Sequence, residues 1–66
     1  MTEAEAKVYD FVKGKGRATR AEVMQSLGLT ETDLGTKLLT LMHSELVKEM
    51  GEGGSRYLVA VPVEKG

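Results

Sequence analysis

The chain lacks cysteine and tryptophan and has one proline and one histidine among its 66 residues. Without cysteine, no disulfide can stabilise the fold and no thiolate is available for metal binding or nucleophilic chemistry. The single histidine, His43, excludes the usual Cys/His zinc sets and leaves no pair for nucleophilic catalysis. The sequence therefore predicts no metal, no cofactor and no enzymatic activity.

Long apolar runs are also missing. No stretch approaches the ~20 apolar residues that a membrane-spanning helix needs, and the acidic N-terminus is unlike a secretory signal. We therefore expect a cytoplasmic protein without a membrane partner. The length predicts a single domain over residues 1–66, with a small core and a stability of roughly a few kcal/mol.

Charge is balanced in total but unevenly distributed. Nine Lys and Arg residues face ten Asp and Glu residues, which gives a net charge of −1. Four of the nine cations fall within eight residues that contain no acid, and we call them the basic strip: Lys13, Lys15, Arg17 and Arg20. The remaining five cations face all ten acids. The acidic total weighs against non-specific nucleic-acid binding, whereas the basic strip favours it.

Three amphipathic helices are expected, over residues 2–13, about 20–27 and about 31–44. Each follows a threonine with an acid three residues later, which is capping-box spacing: Thr2–Glu5, Thr19–Glu22 and Thr30–Asp33. Gly14 and Gly16 should end the first helix, and Gly28 the second, because glycine takes positive φ at low cost.

Apolar residues recur at helical spacing and predict the core. The residues expected to face inward are Ala4, Val8, Phe11, Val12, Ala21, Val23, Met24, Leu27, Leu34, Leu38 and Leu41, with Leu39 and Met42 widening the third stripe. At least two of the three aromatic residues should also lie in the core: Tyr9, Phe11 and Tyr57. The third helix then turns residues 31, 32, 35, 36, 37, 40 and 43 outward.

The C-terminal third predicts a β-hairpin. Strands are expected over 46–50 and 56–61, joined by a glycine-rich turn over 51–55. Pro62 should end the strand pairing, because proline has no N–H to donate, and residues 64–66 should be frayed. A very short strand is expected at residues 17–18.

This order resembles the winged helix-turn-helix fold of small bacterial and archaeal transcriptional regulators. The residues that carry the resemblance run without a gap: Leu27-Gly28-Leu29-Thr30, Leu34, Leu38, Leu41 and Leu46-Val47. It implies an α+β fold, mostly α, with three helices and a C-terminal two-stranded wing. Glu45 departs from the pattern, because many relatives have glycine between the third helix and the following strand.

The resemblance also implies double-stranded DNA as the partner and transcriptional regulation as the role. In DNA-binding members, the third helix, here residues 31–44, enters the major groove, and the wing, here residues 51–56, contacts the backbone or minor groove. The base-contacting positions are then Thr32, Thr36, Lys37 and Thr40. The phosphate-contacting positions are Lys13, Lys15, Arg17, Thr19, Arg20, Lys48 and Arg56. A homodimer bound to DNA is consistent with the same hypothesis.

Acidic residues are consistent with a second hypothesis, in which the partner is a protein. Glu31 and Asp33 at the start of the third helix, and Glu52 in the wing, would lie near phosphates and weaken DNA binding. A winged-helix module that binds a protein partner and no nucleic acid, through Leu39, Met42, Gly35 or a sheet edge, accommodates them. RNA binding is less favoured, because the chain has few aromatic residues on which bases could stack.

Overall fold

The computed structural model describes residues 2–61, which form three helices followed by a two-stranded antiparallel sheet. The helices are α1 (Glu3–Lys15), α2 (Arg20–Leu27) and α3 (Glu31–His43). The strands are β1 (Val47–Met50) and β2 (Tyr57–Ala60), joined by a turn that contains the short 3-10 helix Gly53–Ser55. This is the winged-helix layout that the sequence predicts. The predicted roles of Pro62 and residues 64–66 lie outside the described residues.

All three helices begin at the predicted threonines. The Thr2 hydroxyl accepts from the Glu5 N–H while the Glu5 carboxylate accepts from the Thr2 N–H at 2.7 Å, and the same reciprocal pair forms between Thr19 and Glu22. The Thr30 hydroxyl caps α3 without a returning carboxylate bond. These caps satisfy first-turn amides that have no partner within the helix, so they fix where each helix starts.

The ends of α1 and α3 differ from prediction. Helix α1 continues to Lys15 with Gly14 inside it, and Gly16, at φ 84°, ends it. Helix α3 ends at His43, one residue early. Gly14 does not break α1 because glycine lowers helix stability only by about 1 kcal/mol, which packing of neighbouring residues offsets.

The core lies where the three helices meet the inner face of the sheet. Its fully buried members are Val8, Val12, Ala18, Val23, Leu34, Leu38, Leu41, Val47 and Leu58. Helix α1 packs against α3, α2 and β2 and so closes this core from one side. The other predicted core residues lie at its margin, half-buried, including Tyr9, Phe11, Met24 and Leu27.

Two predicted core positions are wrong. Ala21 and Leu39 are exposed, Leu39 by 72% of its surface. Both directly flank buried stripes, and one residue along a helix turns the side chain by about 100°. Gly35 and Lys37, which were predicted to face outward, are half-buried on the flanks of α3.

The predicted strand at residues 17–18 is a single bridging residue. Ala18 exchanges two backbone hydrogen bonds with Leu58, at 3.0 and 2.7 Å. On the other side of β2, Val47 pairs with Ala60 and Met50 with Tyr57. Strand β2 therefore lies between β1 and Ala18, which ties the loop after α1 to the wing.

The corner between α3 and β1 holds Glu45 in a left-handed conformation, at φ 60°. The Leu46 N–H donates to the Leu41 carbonyl at 2.9 Å and the Glu45 N–H to the Met42 carbonyl at 3.0 Å. This is the Schellman pattern, in which glycine usually occupies the position of Glu45. The glutamate at this position, where the winged-helix pattern has glycine, therefore leaves the turn intact. It does so with a strained backbone conformation at Glu45.

We expect Glu45→Gly to raise the free energy of unfolding by about 0.5–1 kcal/mol. Relief of the left-handed conformation contributes roughly 1–2 kcal/mol, and the greater entropy of glycine in the unfolded chain offsets part of it. Urea denaturation measures the change. The neighbouring Ser44, at φ −82°, is the control, because Ser44→Gly relieves no strain and should destabilise. Equal destabilisation by both changes would contradict this account.

Candidate nucleic-acid interface

The outward residues of α3 are acidic at its start and uncharged along its middle: Glu31, Thr32, Asp33, Thr36, Leu39, Thr40 and His43 are exposed. Thr32, Thr36 and Thr40 are exposed at successive intervals of four residues, as predicted. The Thr36 hydroxyl donates to the Thr32 carbonyl at 3.0 Å, and the Thr40 hydroxyl donates to the Thr36 carbonyl at 3.5 Å. The Thr36 proton is therefore directed at the backbone of α3 itself.

Thr40 also lies beside helix α1. The pKa of Glu5 is held below its usual range, first by the hydrogen bond from the Thr2 backbone and also by the hydroxyls of Thr2 and Thr40. Glu5 is the buried charged residue of α1. Thr40 is thus at the edge of the outward face, next to Glu5 of α1.

Leu39 is the residue on this face that the sequence analysis placed elsewhere. It follows Thr36 by three residues and precedes His43 by four, so all three share one side of α3. Lys37, the predicted base-contacting cation, is half-buried on the flank, and no described carboxylate lies within ion-pair distance of it. The exposed centre of α3 is therefore apolar and uncharged.

The basic strip is engaged by the protein's own side chains. The Lys15 ammonium lies 2.7 Å from the Glu22 carboxylate. The Arg17 guanidinium lies 5.3 Å from the centre of the Tyr57 ring, and the Lys13 ammonium 5.9 Å from that of Tyr9. Cation–π contacts at this range add roughly 0.5–1 kcal/mol at exposed sites and leave the charge accessible. The strip therefore remains cationic at Lys13 and Arg17 and is neutralised at Lys15.

Arg20 forms a two-point ion pair with Glu49 of β1. Its Nε and one terminal nitrogen donate to the two carboxylate oxygens at 2.9 and 3.0 Å. These hydrogen bonds lower the pKa of Glu49 and raise that of Arg20, and Glu31 at the start of α3 also acts on Arg20. The pair joins α2 to the wing. It also places a carboxylate where the sequence analysis expected a phosphate.

A shallow groove separates the N-terminus of α2 from the wing. It is lined by Thr19, Arg20, Ala21, Glu49, Gly53, Gly54 and Arg56. The capping box uses the Thr19 and Glu22 amides, so those of Arg20 and Ala21 have no acceptor within α2. Arg56 and Lys48 are exposed, and no carboxylate of residues 2–61 forms an ion pair with either. The groove therefore combines the first turn of α2 with Arg56, which acts on Glu49 electrostatically and forms no ion pair with a carboxylate of residues 2–61.

The predicted phosphate-contacting residues lie mainly along two neighbouring grooves, and Lys13 and Lys48 line neither of the two. Thr19, Arg20 and Arg56 share the groove just described. Lys15 and Arg17 line a second groove, between the end of α1 and β2, which Thr19 also borders. Lys13 lies on α1 beside Tyr9. Arg20 thus lies in the groove beside the wing, Lys15 and Arg17 lie in the neighbouring groove, and Thr19 borders both.

Acid sensitivity should be centred on Glu22. The hydrogen bond from Lys15, together with that from the Thr19 backbone, lowers the pKa of Glu22 from its ordinary value of 4.5 to about 2. A group whose pKa is lowered by folding stabilises the fold above its unfolded pKa and loses that contribution as the pH falls toward its folded pKa. Glu22→Gln should therefore be less stable than wild type at pH 7 and lose less stability from about pH 5 to 2.

Thermal unfolding across this pH range measures the difference. Glu52→Gln is the matched control, because Glu52 is exposed in the wing and no cation of the described segment pairs with it. Its profile should follow wild type. A Glu22→Gln profile parallel to wild type would show that the Lys15–Glu22 contact has no energetic effect.

No family model matches the chain, and no curated protein or solved structure is significantly similar to it. None of the helices within residues 2–61 is long and apolar enough to cross a membrane.

Proposed function

We propose that this protein binds double-stranded DNA through a winged helix-turn-helix surface and regulates transcription. Helix α3 enters the major groove, and the wing at residues 51–56 contacts the backbone or the minor groove. The protein works by binding, without catalysis, in the cytoplasm.

The groove between α2 and the wing carries the proposal. Arg20 and Ala21 of the first turn of α2 line it on one side, and Glu49, Arg56 and the glycines of the wing line it on the other. A helix N-terminus with free N–H groups favours an anion, and an arginine can bind a phosphate through two donors. Glycines let a phosphate backbone approach closely, because they carry no side chain. One phosphate can therefore contact both elements that flank α3.

The charge balance predicts weak binding by one copy. Glu49 already neutralises Arg20, and Glu31 lies close enough to act on it. Phosphate binding must replace or share the carboxylate of Glu49. Two copies on one duplex double the number of phosphate contacts, so we propose that the protein binds DNA as a homodimer.

Salt-dependent binding to a duplex tests the function. Fluorescence anisotropy at low ionic strength should show binding, and affinity should fall with salt with a slope of about −0.9 for each phosphate contacted. Arg56→Ala should weaken binding and reduce the slope by roughly one contact per copy. Lys7→Ala is the matched control, because Lys7 lies on α1 and pairs with Glu3 at 3.8 Å. Absence of binding to any duplex at low salt would refute the proposal.

A protein partner is the second candidate, and the exposure of Leu39 favours it. An apolar side chain exposed by 72% on an uncharged helix face suits burial against another protein. In that case Glu49 serves only to hold the wing against α2. Capture of one stoichiometric protein partner, lost in Leu39→Ala and kept in Arg56→Ala, would favour this function over DNA binding.

A further inference from the structure

Between the exposed acids of its first turn, Glu31 and Asp33, and its last residue, His43, the outward face of α3 has little with which to read bases by hydrogen bonding. The helix contains no Arg, Asn or Gln, the side chains that pair in two-point contacts with guanine or adenine. Its one lysine, Lys37, is half-buried on the flank. The hydroxyl proton of Thr36 is already donated to the Thr32 carbonyl at 3.0 Å, and that of Thr40 is drawn to the Thr36 carbonyl and to Glu5. These two hydroxyls can therefore accept from a base but have no free proton to donate.

Leu39 lies at the centre of this face. It is 72% exposed, between Thr36 one turn before it and His43 one turn after it. Because Leu38 and Leu41 supply the core, the fold does not require a leucine at residue 39. The exposed side chain of Leu39 gains most from being removed from water when it packs against another apolar group.

In the major groove, the apolar group that bases expose is the C5-methyl of thymine. We propose that Leu39, flanked by the threonine methyl groups, contacts thymine methyls, so that the protein selects DNA by its pattern of thymines. This inference rests on the proposed function and names the DNA feature that α3 reads. It predicts selection of A·T-containing sites through apolar contact, in place of guanine recognition by a cation.

Removal and addition of single methyl groups test the inference. The probes are an alternating dA·dT duplex, the same duplex with deoxyuridine in place of thymidine, an alternating dG·dC duplex, and that duplex with 5-methylcytosine. Loss of the thymine methyl should weaken wild-type binding about fourfold for each methyl contacted, and the cytosine methyl should strengthen binding similarly.

Leu39→Ala should reduce both methyl effects, and Leu39→Met should retain them. Because Leu39 is exposed, both variants should fold, and circular dichroism checks this. Equal wild-type affinity for the thymine and uracil duplexes would overturn the inference, as would a full methyl effect in Leu39→Ala. Either result leaves DNA binding itself standing. Failure to bind any of the four duplexes at low salt would refute the proposed function and this inference together.

The oligomeric state of the protein distinguishes a protein contact of Leu39 from a DNA contact. If Leu39→Ala abolishes a dimer seen by sedimentation and leaves the ratio of thymine to uracil affinity unchanged, then Leu39 is a protein contact and the thymine assignment is overturned. A thymine-to-uracil ratio that falls in Leu39→Ala, with the oligomeric state unchanged, supports it.

Discussion

Leu38→Ala should lower the free energy of unfolding by about 2–5 kcal/mol and leave little folded protein at 25 °C. Leu38 is 1% exposed at the centre of the core, and truncation removes buried methyl groups and leaves a cavity that the helices fill only partly. A domain this small is rarely stabilised by more than roughly 3–5 kcal/mol. Circular dichroism and urea denaturation should show a largely unfolded chain.

The adjacent residue provides the control for this change. Leu39→Ala removes the same atoms from a side chain that is 72% exposed, so it should shift stability by less than about 0.5 kcal/mol. Comparable losses in the two variants would mean that Leu39 is buried in solution, either in the monomer or against a second copy. The pair therefore tests the orientation of α3, on which both proposed functions depend.

Gly51→Ala should destabilise the domain by roughly 2–3 kcal/mol and displace the wing. Gly51 has φ 90°, and a β-carbon there would lie 2.8 Å from the Ser55 carbonyl oxygen. The positive φ alone costs a side chain roughly 1–3 kcal/mol, and the contact with backbone cannot be relieved by a rotamer change. Because Arg56 follows this turn, its approach to the groove should be lost as well.

Gly54→Ala is the matched substitution in the same turn. Gly54 has no positive φ, and no atom lies within 4 Å of its would-be β-carbon. Its effect on unfolding should stay within about 0.5 kcal/mol. Thermal unfolding compares the two variants, and amide NMR shifts report the wing. If Gly51→Ala is as stable as Gly54→Ala, the turn does not hold this conformation in solution.

Short sequence patterns predict most of the fold, because the interactions that produce these elements act between residues close together in the chain. A threonine followed by an acid three residues later can satisfy first-turn amides with no help from the rest of the chain, so all three helix starts were located from sequence. Gly28, at φ 66°, ends α2 as predicted because the requirement for positive φ lies in that one residue. The hairpin follows from a glycine-rich turn between β-branched and aromatic segments.

Sequence patterns do not show which of two adjacent residues of the same type is buried. Leu38 and Leu39 are chemically identical, and only the direction of the core relative to α3 decides which one is buried. That direction is set by packing against α1 and β1. The same reason accounts for Ala21, which is small enough to be tolerated on either side of α2. Burial is a property of the assembled helices, and a periodic pattern fixes it only to within about one residue.

The candidate site was predicted in part. The outward positions of Thr32 and Thr36, and the position of Arg56 in the wing, followed from periodicity and element order. The Arg20–Glu49 pair did not, because 29 residues separate its members and each forms part of a different element.

Three capped helices, the turn at Gly28, the hairpin and most of the core are predictable from the sequence, because capping, backbone conformation and hydrophobic periodicity act over a few residues. The outward position of Leu39, the pairing of Ala18 with Leu58 and the ion pair of Arg20 with Glu49 beside the wing arise from long-range packing. These features depend on which surfaces meet when the helices pack. They are also the features on which the surface proposed to bind DNA depends.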